Sequence, residues 1–502
     1  MNRLHKGCVS AVSLLLAAVF LYLAIFCICY TSVVDSTDEW YEHMLRQPDV
    51  VWTNLLALLC FALLLWLADR VCRRMPVRTV IGLLLVWTII AGALWVLCTQ
   101  ISPRGDAGHV RSSAAQIIRG DFSALTAPDG YLRAYPFQLG YVMLSELTQR
   151  AFGIDNMLPM QLYNVLALAG LYGAVLALVW QSGLAERTQQ DRLLRRTALL
   201  LALCVQPILY CSFQYGNLLS ACCGLWAAWC ALRWFKGGRA RFAVLACVLA
   251  ALCVLWKPNG WLIVIALTGT LFLCGFARRR WQALALALCL IASPMLLSGA
   301  VQKSYALRAN TVLDGGVPMI AHVAMGLQEG PRSPGWFNQY NYDLYLANGH
   351  DGAAAQANAY IAKRVQTFLQ NPAYALSFFH TKLTVQWNET TFESLWVNRV
   401  CRYEEGRPAF VDSVLSGGLR APLEHYMDWY TSLLYLGLAA GLSVLVLRRR
   451  KQAFPLGLSV LVIIIFGALM YHMLSEAKSQ YLFVYLPMMV PFAALGLWSW
   501  DS

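Results

Sequence analysis

Apolar residues in this chain come in long unbroken runs, parted by short polar connections. The runs fall at 8–31, 51–68, 79–99, 159–181, 197–213, 216–233, 241–256, 260–276, 281–300, 429–447, 454–473 and 480–500. A run of about 18 or more apolar residues is long enough to cross a bilayer as a helix. Backbone groups in lipid must be satisfied within the segment, and strands of a membrane barrel would instead alternate over about 10 residues. The pattern therefore predicts an all-α polytopic membrane protein with about twelve transmembrane helices. The first run is too long for a signal-peptide core, and no small-x-small cleavage site follows "FCICYTS", so it reads as an uncleaved anchor.

Composition sharpens this picture. The 502 residues are 59% hydrophobic and 13% charged, with a mean hydropathy of +0.54, too much apolar surface for a soluble domain of this size. A net charge of +13 would suit nucleic acid. The basic residues lie instead in alternate short connections, "DRVCRRMPVR", "ERTQQDRLLRRT", "RWFKGGRAR", "ARRR" and "RRRK". With "MNRLHK" they are expected to orient the chain with both termini in the cytoplasm, and no nucleic acid is expected as partner. Nearly all of the sixteen cysteines sit inside apolar runs, where Cys serves as a small hydrophobe rather than a disulfide or zinc ligand.

On this reading, residues 1–78 hold two spans before a core at 79–300. The core includes a first extracytoplasmic loop at 100–158. A large extracytoplasmic loop follows at 301–428, and three spans at 429–502 close the chain. Both loops are too long to be mere connectors and are expected to carry interfacial helices, with a small mixed segment. "AGHVRSSAAQIIRG" (107–120) is one amphipathic helix. "YPFQLGYVMLSELTQRAFG" (135–153), with Glu146, Gln149 and Arg150 on its polar side, is a second. Making the latter a span would invert every later basic connection, so it is expected to lie at the interface.

The tripeptide Arg104-Gly105-Asp106 follows the third run at once. An adhesion motif needs an exposed loop tip, and this one is pressed against the bilayer. The chain has no P-loop, no G-x-G-x-x-G after a strand, no metalloprotease motif and no nucleophile elbow, so ATP-driven transport and soluble-type hydrolysis lack support. Polar groups gather instead where spans meet the outer surface. These are Arg104, Asp106 and His109, then Arg133, Tyr135 and Gln138, then Lys257 and Asn259 in "WKPNGW", then Glu476, Lys478 and Tyr481 in "SEAKSQY". Cations at this depth are costly unless paired or facing a polar cavity. A lipid phosphate would suit them, because they would stabilise its charge as it leaves. The plainer alternative is that they are side chains snorkelling to the interface.

The run "SPRGDAGHVRSSAAQIIRGDFSALTAPDGYLRAYPFQLGYVMLSEL" resembles the first outer loop of bacterial glycosyltransferases of the family-39-like group. These are relatives of the dolichyl-phosphate-mannose–protein mannosyltransferases and of the aminoarabinose transferase, with the GT-C membrane fold. "MGLQEGPRSPGWFNQYN" (325–341) and "KLTVQWNETTFESLW" (382–396) resemble the second outer loop of the Gram-positive branch, and "SEAKSQYLFVYLPMMVPFAALG" its closing segment. The likeness covers most of the chain from about residue 79, with the first two spans as an addition. It departs at Asp106-Ala107, where relatives often carry a second acidic residue, and at Gln480, where Arg is frequent. Those departures leave open which cation holds the phosphate and whether a divalent metal binds at Asp106.

The resemblance implies a bacterial plasma-membrane enzyme, active on the extracytoplasmic side, and an inverting transfer of a sugar from a polyprenyl-phosphate donor to a cell-wall polymer, glycolipid or protein. Asp106 would be the catalytic base, and Arg104, Arg133, Lys257 and Lys478 would hold the donor phosphate. His109, Tyr135, Gln138, Asn259, Glu476 and Tyr481 would contact substrate. From the second loop the expected substrate contacts are Trp336, Asn338, Lys382, Trp387 and Asn388, since aromatic faces beside amides suit sugars. Asn388 also opens an Asn-Glu-Thr glycosylation pattern, incidental in a bacterium. The rival reading is a transporter or flippase of lipid-linked sugars, which would place ionisable residues near the bilayer midplane.

Overall fold

The computed structural model describes residues 3–34, 42–154, 156–183, 187–277, 279–401, 408–448 and 454–498. Most of the acidic connection "VVDSTDEWYEHM" and the basic "RRRK" segment lie outside them. The described chain is nearly all helical: α1 (Arg3–Cys29), α2 (Val51–Cys72), α3 (Val77–Thr99), α4 (Gly105–Ile118), α5 (Ser123–Thr126), α6 (Tyr131–Ala134), α7 (Leu139–Phe152), α8 (Leu158–Gln181), α9 (Arg187–Ala202), α10 (Gln206–Leu209) and α11 (Asn217–Phe235) come first. There follow α12 (Arg241–Trp256), α13 (Gly260–Ala277), α14 (Trp281–Arg308), α15 (Met319–Gly326), α16 (Tyr340–Gln370), α17 (Pro372–Trp387), α18 (Ser394–Val400), α19 (Ala409–Leu415), α20 (Arg420–Arg448), α21 (Leu456–Leu474) and α22 (Leu486–Leu497). One antiparallel hairpin, β1 (Tyr30–Val34) with β2 (Met44–Pro48), joins α1 to α2, pairing Ser32 with Arg46. The mixed segment is expected in the long loops; among the described residues the paired strands lie instead between the first two helices, and the second loop is helices and turns with one isolated bridge from Trp336 to Ala477.

Among the described residues, nine helices are long and apolar enough to cross a membrane, and they fall on nine of the expected runs. This is a polytopic all-α membrane protein. The run at 197–213 forms two helices bent by 50°. The bend comes just before Pro207, which has no N–H to carry the helical bonding across the break and sits in the first turn of the second helix. The runs at 241–256 and 260–276 form helices of 16 and 18 residues. At 1.5 Å per residue these reach only about 24–27 Å, short of a hydrocarbon core of about 30 Å. In the other direction, α14 and α20 run past the expected span ends, to Arg308 and back to Arg420, so the second loop is 309–419 rather than 301–428.

Close packing comes from small residues. Gly437 and Gly441 on α20 face Gly496 on α22. A Cβ on Gly441 would lie 1.9 Å from the Phe492 carbonyl oxygen, so only glycine lets these backbones touch. α1 packs along α20 and contributes Leu16, Phe20 and Leu23 to the main core, so the first helix is built into the bundle. Leu147 and Phe152 on α7 are exposed, whereas Glu146 and Gln149 are buried. The polar side of this helix faces the protein. Glu146 accepts bonds from Arg308 of α14 at 2.7 Å and from Arg150 at 2.8 Å. Tyr305 donates to it at 2.5 Å. Burial raises the Glu146 carboxyl, but these donors outweigh it and bring it down to about 2. At 14 residues α7 is too short to cross a bilayer, and it lies on α4 and α14.

Candidate functional site

The chain turns off α3 at Gln100, in the left-handed region, and enters α4 from an extended Arg104. This puts Asp106 in the first turn of α4, where the helix dipole favours a carboxylate. The Tyr215 hydroxyl donates to its Oδ2 at 2.6 Å. Gln138 in turn donates to Tyr215 at 3.0 Å and to Tyr131 at 3.3 Å. An amide nitrogen can only donate, so the Tyr215 oxygen accepts from Gln138 and its own proton points to Asp106. Burial, reinforced by the Asp106 charge, holds the Tyr131 and Tyr215 hydroxyls well above the ordinary tyrosine range, so both stay protonated. Gly216 (φ +78°) lets the 213–216 turn approach: a Cβ there would stand 2.4 Å from the Trp256 carbonyl oxygen. That contact brings the turn carrying Lys257 against Tyr215.

The Lys257 ammonium lies 3.1 Å from the Tyr215 ring centre and 5.7 Å from that of Tyr481. Tyr215 thus offers its face to the lysine and its hydroxyl to Asp106. Burial pushes Lys257 down to about 7, with Asp106 and Glu476 resisting. Burial likewise pushes Glu476 up to about 7, resisted chiefly by Lys478. Lys478 bonds Glu42 at 2.5 Å and lies 3.7 Å from Glu393. Burial opposes its charge, but these carboxylates outweigh it and hold the ammonium above the usual lysine range.

Apart from Glu393, these groups line one cavity of about 370 Å³ at the end of the bundle where α3, α12 and α21 finish. It brings together nine residues marked in the sequence: Arg104, Asp106, Tyr135, Gln138, Lys257, Asn259, Glu476, Lys478 and Tyr481. Arg104 also donates to the Val400 carbonyl at 2.5 Å, which ties α18 over the cavity.

Seven other marked residues are not in the cavity wall. His109 stacks on Tyr131 at 4.7 Å. Arg133 donates to the Thr126 carbonyl at 3.4 Å, within the first loop. Trp336 is buried and donates to Glu42 at 3.0 Å. Asn338 bonds Gln328 at 2.8 Å and accepts from the Tyr340 amide at 3.1 Å, starting α16. Lys382 is wholly buried and donates to the Gly326 and Ser475 carbonyls, the latter at 2.6 Å. Trp387 packs edge-on against Phe20 at 5.4 Å. Asn388 donates to the Tyr30 carbonyl at 2.8 Å and fastens β1 to the second loop. In each case the side chain makes a contact that holds its segment in place, although among the described residues the Trp387 indole N–H and the Asn388 amide oxygen are buried without a partner.

Glu42, Tyr131, Tyr215, His322, Arg332 and Asn341 line the cavity without having been marked, and so does Trp396, one of the second loop's aromatics that suit a sugar. Tyr215 follows the run at 197–213 directly, and that boundary position was its available signal. Behind Lys478 lie two buried glutamates, Glu389 and Glu393, whose carboxyl oxygens lie 2.9 and 2.8 Å from the Ser479 hydroxyl oxygen. Phe392 and Glu393 both take left-handed backbone, which turns the Glu393 carboxyl inward. Burial pushes Glu389 up to about 7 and Glu393 to about 8. Among the described residues no group of three His, Cys, Asp or Glu side chains is placed to hold a metal ion, at Asp106 or elsewhere. No family model, no curated protein and no solved structure matches the chain.

Proposed function

We propose that this protein is an integral-membrane inverting glycosyltransferase that moves a sugar from a polyprenyl-phosphate donor to an extracytoplasmic acceptor. The observation that carries the reading is the pairing of Asp106 and Lys257 on one tyrosine, in a cavity at a helix-end boundary. The basic connections lie at the opposite end of the bundle. The positive-inside rule therefore puts the cavity outside the cytoplasm, with twelve crossings if the bent pair and the two short helices each count as one. The family-39-like motifs of the first loop run through Asp106 and Gln138, in agreement with a GT-C arrangement.

In this reading the acceptor hydroxyl gives its proton to the Asp106 carboxylate, and its oxygen attacks the anomeric carbon. The bond from that carbon to the phosphate oxygen breaks, and its electron pair leaves with the polyprenyl phosphate. The phosphate is a good leaving group without an acid. This is the base half of the two-carboxylate chemistry of inverting glycosidases. Lys257 faces the charge that develops, while Lys478, engaged by Glu42, contributes less. The Tyr215–Gln138 chain fixes the Asp106 carboxylate in place.

The test is release of polyprenyl phosphate from undecaprenyl-phosphate-linked hexose in proteoliposomes, for wild type and Asp106→Asn. The variant should bind donor and react roughly 10²–10⁴-fold more slowly. Equal rates would remove Asp106 from the chemistry, and donor crossing the bilayer unconsumed would make the protein a transporter.

A further inference from the structure

On the wall of the cavity formed by the second loop, His322 of α15 and Asn341 of α16 meet, with Asn341 Nδ2 and His322 Nδ1 3.1 Å apart. α15 is held at this place by Gly326, where a Cβ would stand 2.3 Å from the Ser475 carbonyl carbon. Among the described residues, His322 Nε2 and Asn341 Oδ1 have no hydrogen-bond partner, although both atoms are buried. Buried polar atoms without partners are costly and rare in folded proteins. The chemistry of what would satisfy them follows from the pair itself. With the amide nitrogen donating to Nδ1, Nε2 carries a proton and Oδ1 accepts. With the amide turned over, Nε2 accepts and the amide nitrogen donates. Either way the pair is left with one donor and one acceptor, the two functions that a hydroxyl group answers.

We propose that His322 and Asn341 form the subsite that receives a sugar hydroxyl in this cavity. The proposal rests on the reading of the cavity as a sugar-transfer site and adds which wall holds the sugar. Burial pushes His322 down to about 4, against the pull of Asp106, so the ring is neutral at pH 7. A neutral ring suits a hydroxyl, whereas the phosphate belongs with Lys257 on the opposite turn. Hydroxyls of the donor sugar and of an acceptor sugar present the same chemistry, and the experiment separates them.

Binding is measured in lipid nanodiscs for undecaprenyl phosphate and for its mannosyl and glucosyl esters. Methyl mannoside and methyl glucoside are titrated in the presence of saturating undecaprenyl phosphate. For a donor subsite, His322→Leu and Asn341→Leu weaken the sugar-bearing lipids roughly 10- to 100-fold and leave undecaprenyl phosphate unchanged. For an acceptor subsite the same loss appears on the methyl glycosides. His322→Gln, which keeps an N–H and an acceptor, restores part of the affinity in either case and guards against a folding defect. The subsite is overturned if the variants weaken undecaprenyl phosphate as much as its esters, if they weaken no sugar ligand, or if the sugar adds no affinity in wild type. A wild type that binds none of the lipids overturns the transferase reading itself, and the subsite with it.

Discussion

The turns that close the helix ends and the helical cap formed by 309–419 differ in what a polar side chain can do there. At a helix end only a few residues of turn surround it, and apolar helices stand below. Lys257, two residues from Asn259, meets the faces of Tyr215 and, further off, Tyr481. In the cap, five helices supply carbonyls and orphan amides in quantity. Lys382 there is engaged by two backbone carbonyls. Burial pushes both lysines down to about 7, yet one lines the cavity and the other ties α17 to α15 and to the turn after α21. The comparison teaches that a depressed lysine is a site residue only when its partners leave it facing open space.

The largest effect should come from breaking the cap. Trp387→Ala removes a fully buried ring that packs on Phe20 of α1 and should cost about 3–5 kcal/mol. Lys382→Met leaves two carbonyls without a donor and should cost about 2–4 kcal/mol. Thermal unfolding in detergent reads both losses. Below the lowered melting temperature, affinity for undecaprenyl phosphate should equal that of wild type. A cap variant that folds stably but loses lipid binding would erase the distinction between the two regions.

The same contrast explains what the sequence made legible. Polar residues at the edge of a long apolar run have few places to go, so Asp106, Gln138, Lys257, Glu476 and Tyr481 could be picked out from position alone. Trp336 and Asn388 could not be told from packing residues, since an aromatic or amide within a hundred-residue loop meets caps, turns and core. Glu42 was out of reach because its place depends on a hairpin that folds back over the cavity from before α2. His322 sits in an apolar stretch, "MIAHVAMG", where one histidine reads as a core residue. On α7 the two faces were legible but not their direction. Beside lipid the apolar face turns outward, and Glu146 turns in to meet Arg308. Helix length was hidden too, because Pro207 and the extensions of α14 and α20 into polar sequence leave no mark in hydropathy.

The next effect sharpens the site side of the comparison through pH. Lys257 is charged below about 7 and neutral above it, and Glu476 becomes negative over the same range. Both changes make the cavity less attractive to an anion as pH rises. A mannosyl phosphate lipid is a diester whose own charge stays constant, so its affinity should fall about tenfold between pH 6 and pH 8. Lys257→Arg remains charged throughout and should flatten most of that fall. Lys257→Met should bind about 10- to 100-fold more weakly at pH 6 and melt no lower than wild type, since it removes a buried charge. An unchanged affinity in Lys257→Met would move the phosphate to another cation of the wall, Arg104, Arg332 or Lys478.

The smallest effect tests the cap from its least protected point. Asn338 precedes the left-handed Gln339, and its side chain accepts from the Tyr340 amide at the start of α16, next to Asn341. Asn338→Ala should cost about 1 kcal/mol, the ordinary worth of a helix-start acceptor. Asn338→Asp keeps that acceptor and gains from the helix dipole, but it loses the donor to Gln328 and sets a charge beside the Gln328 oxygen. The two variants therefore separate the two bonds: if the helix start dominates, Asp melts above Ala, and if the Gln328 bond dominates, Asp melts at or below it. In neither variant should undecaprenyl phosphate affinity change, because Asn338 reaches the cavity only through α16. Affinity for the sugar-bearing lipids should fall slightly in Asn338→Ala, since fraying the first turn of α16 loosens Asn341 and with it the hydroxyl it would hold against His322.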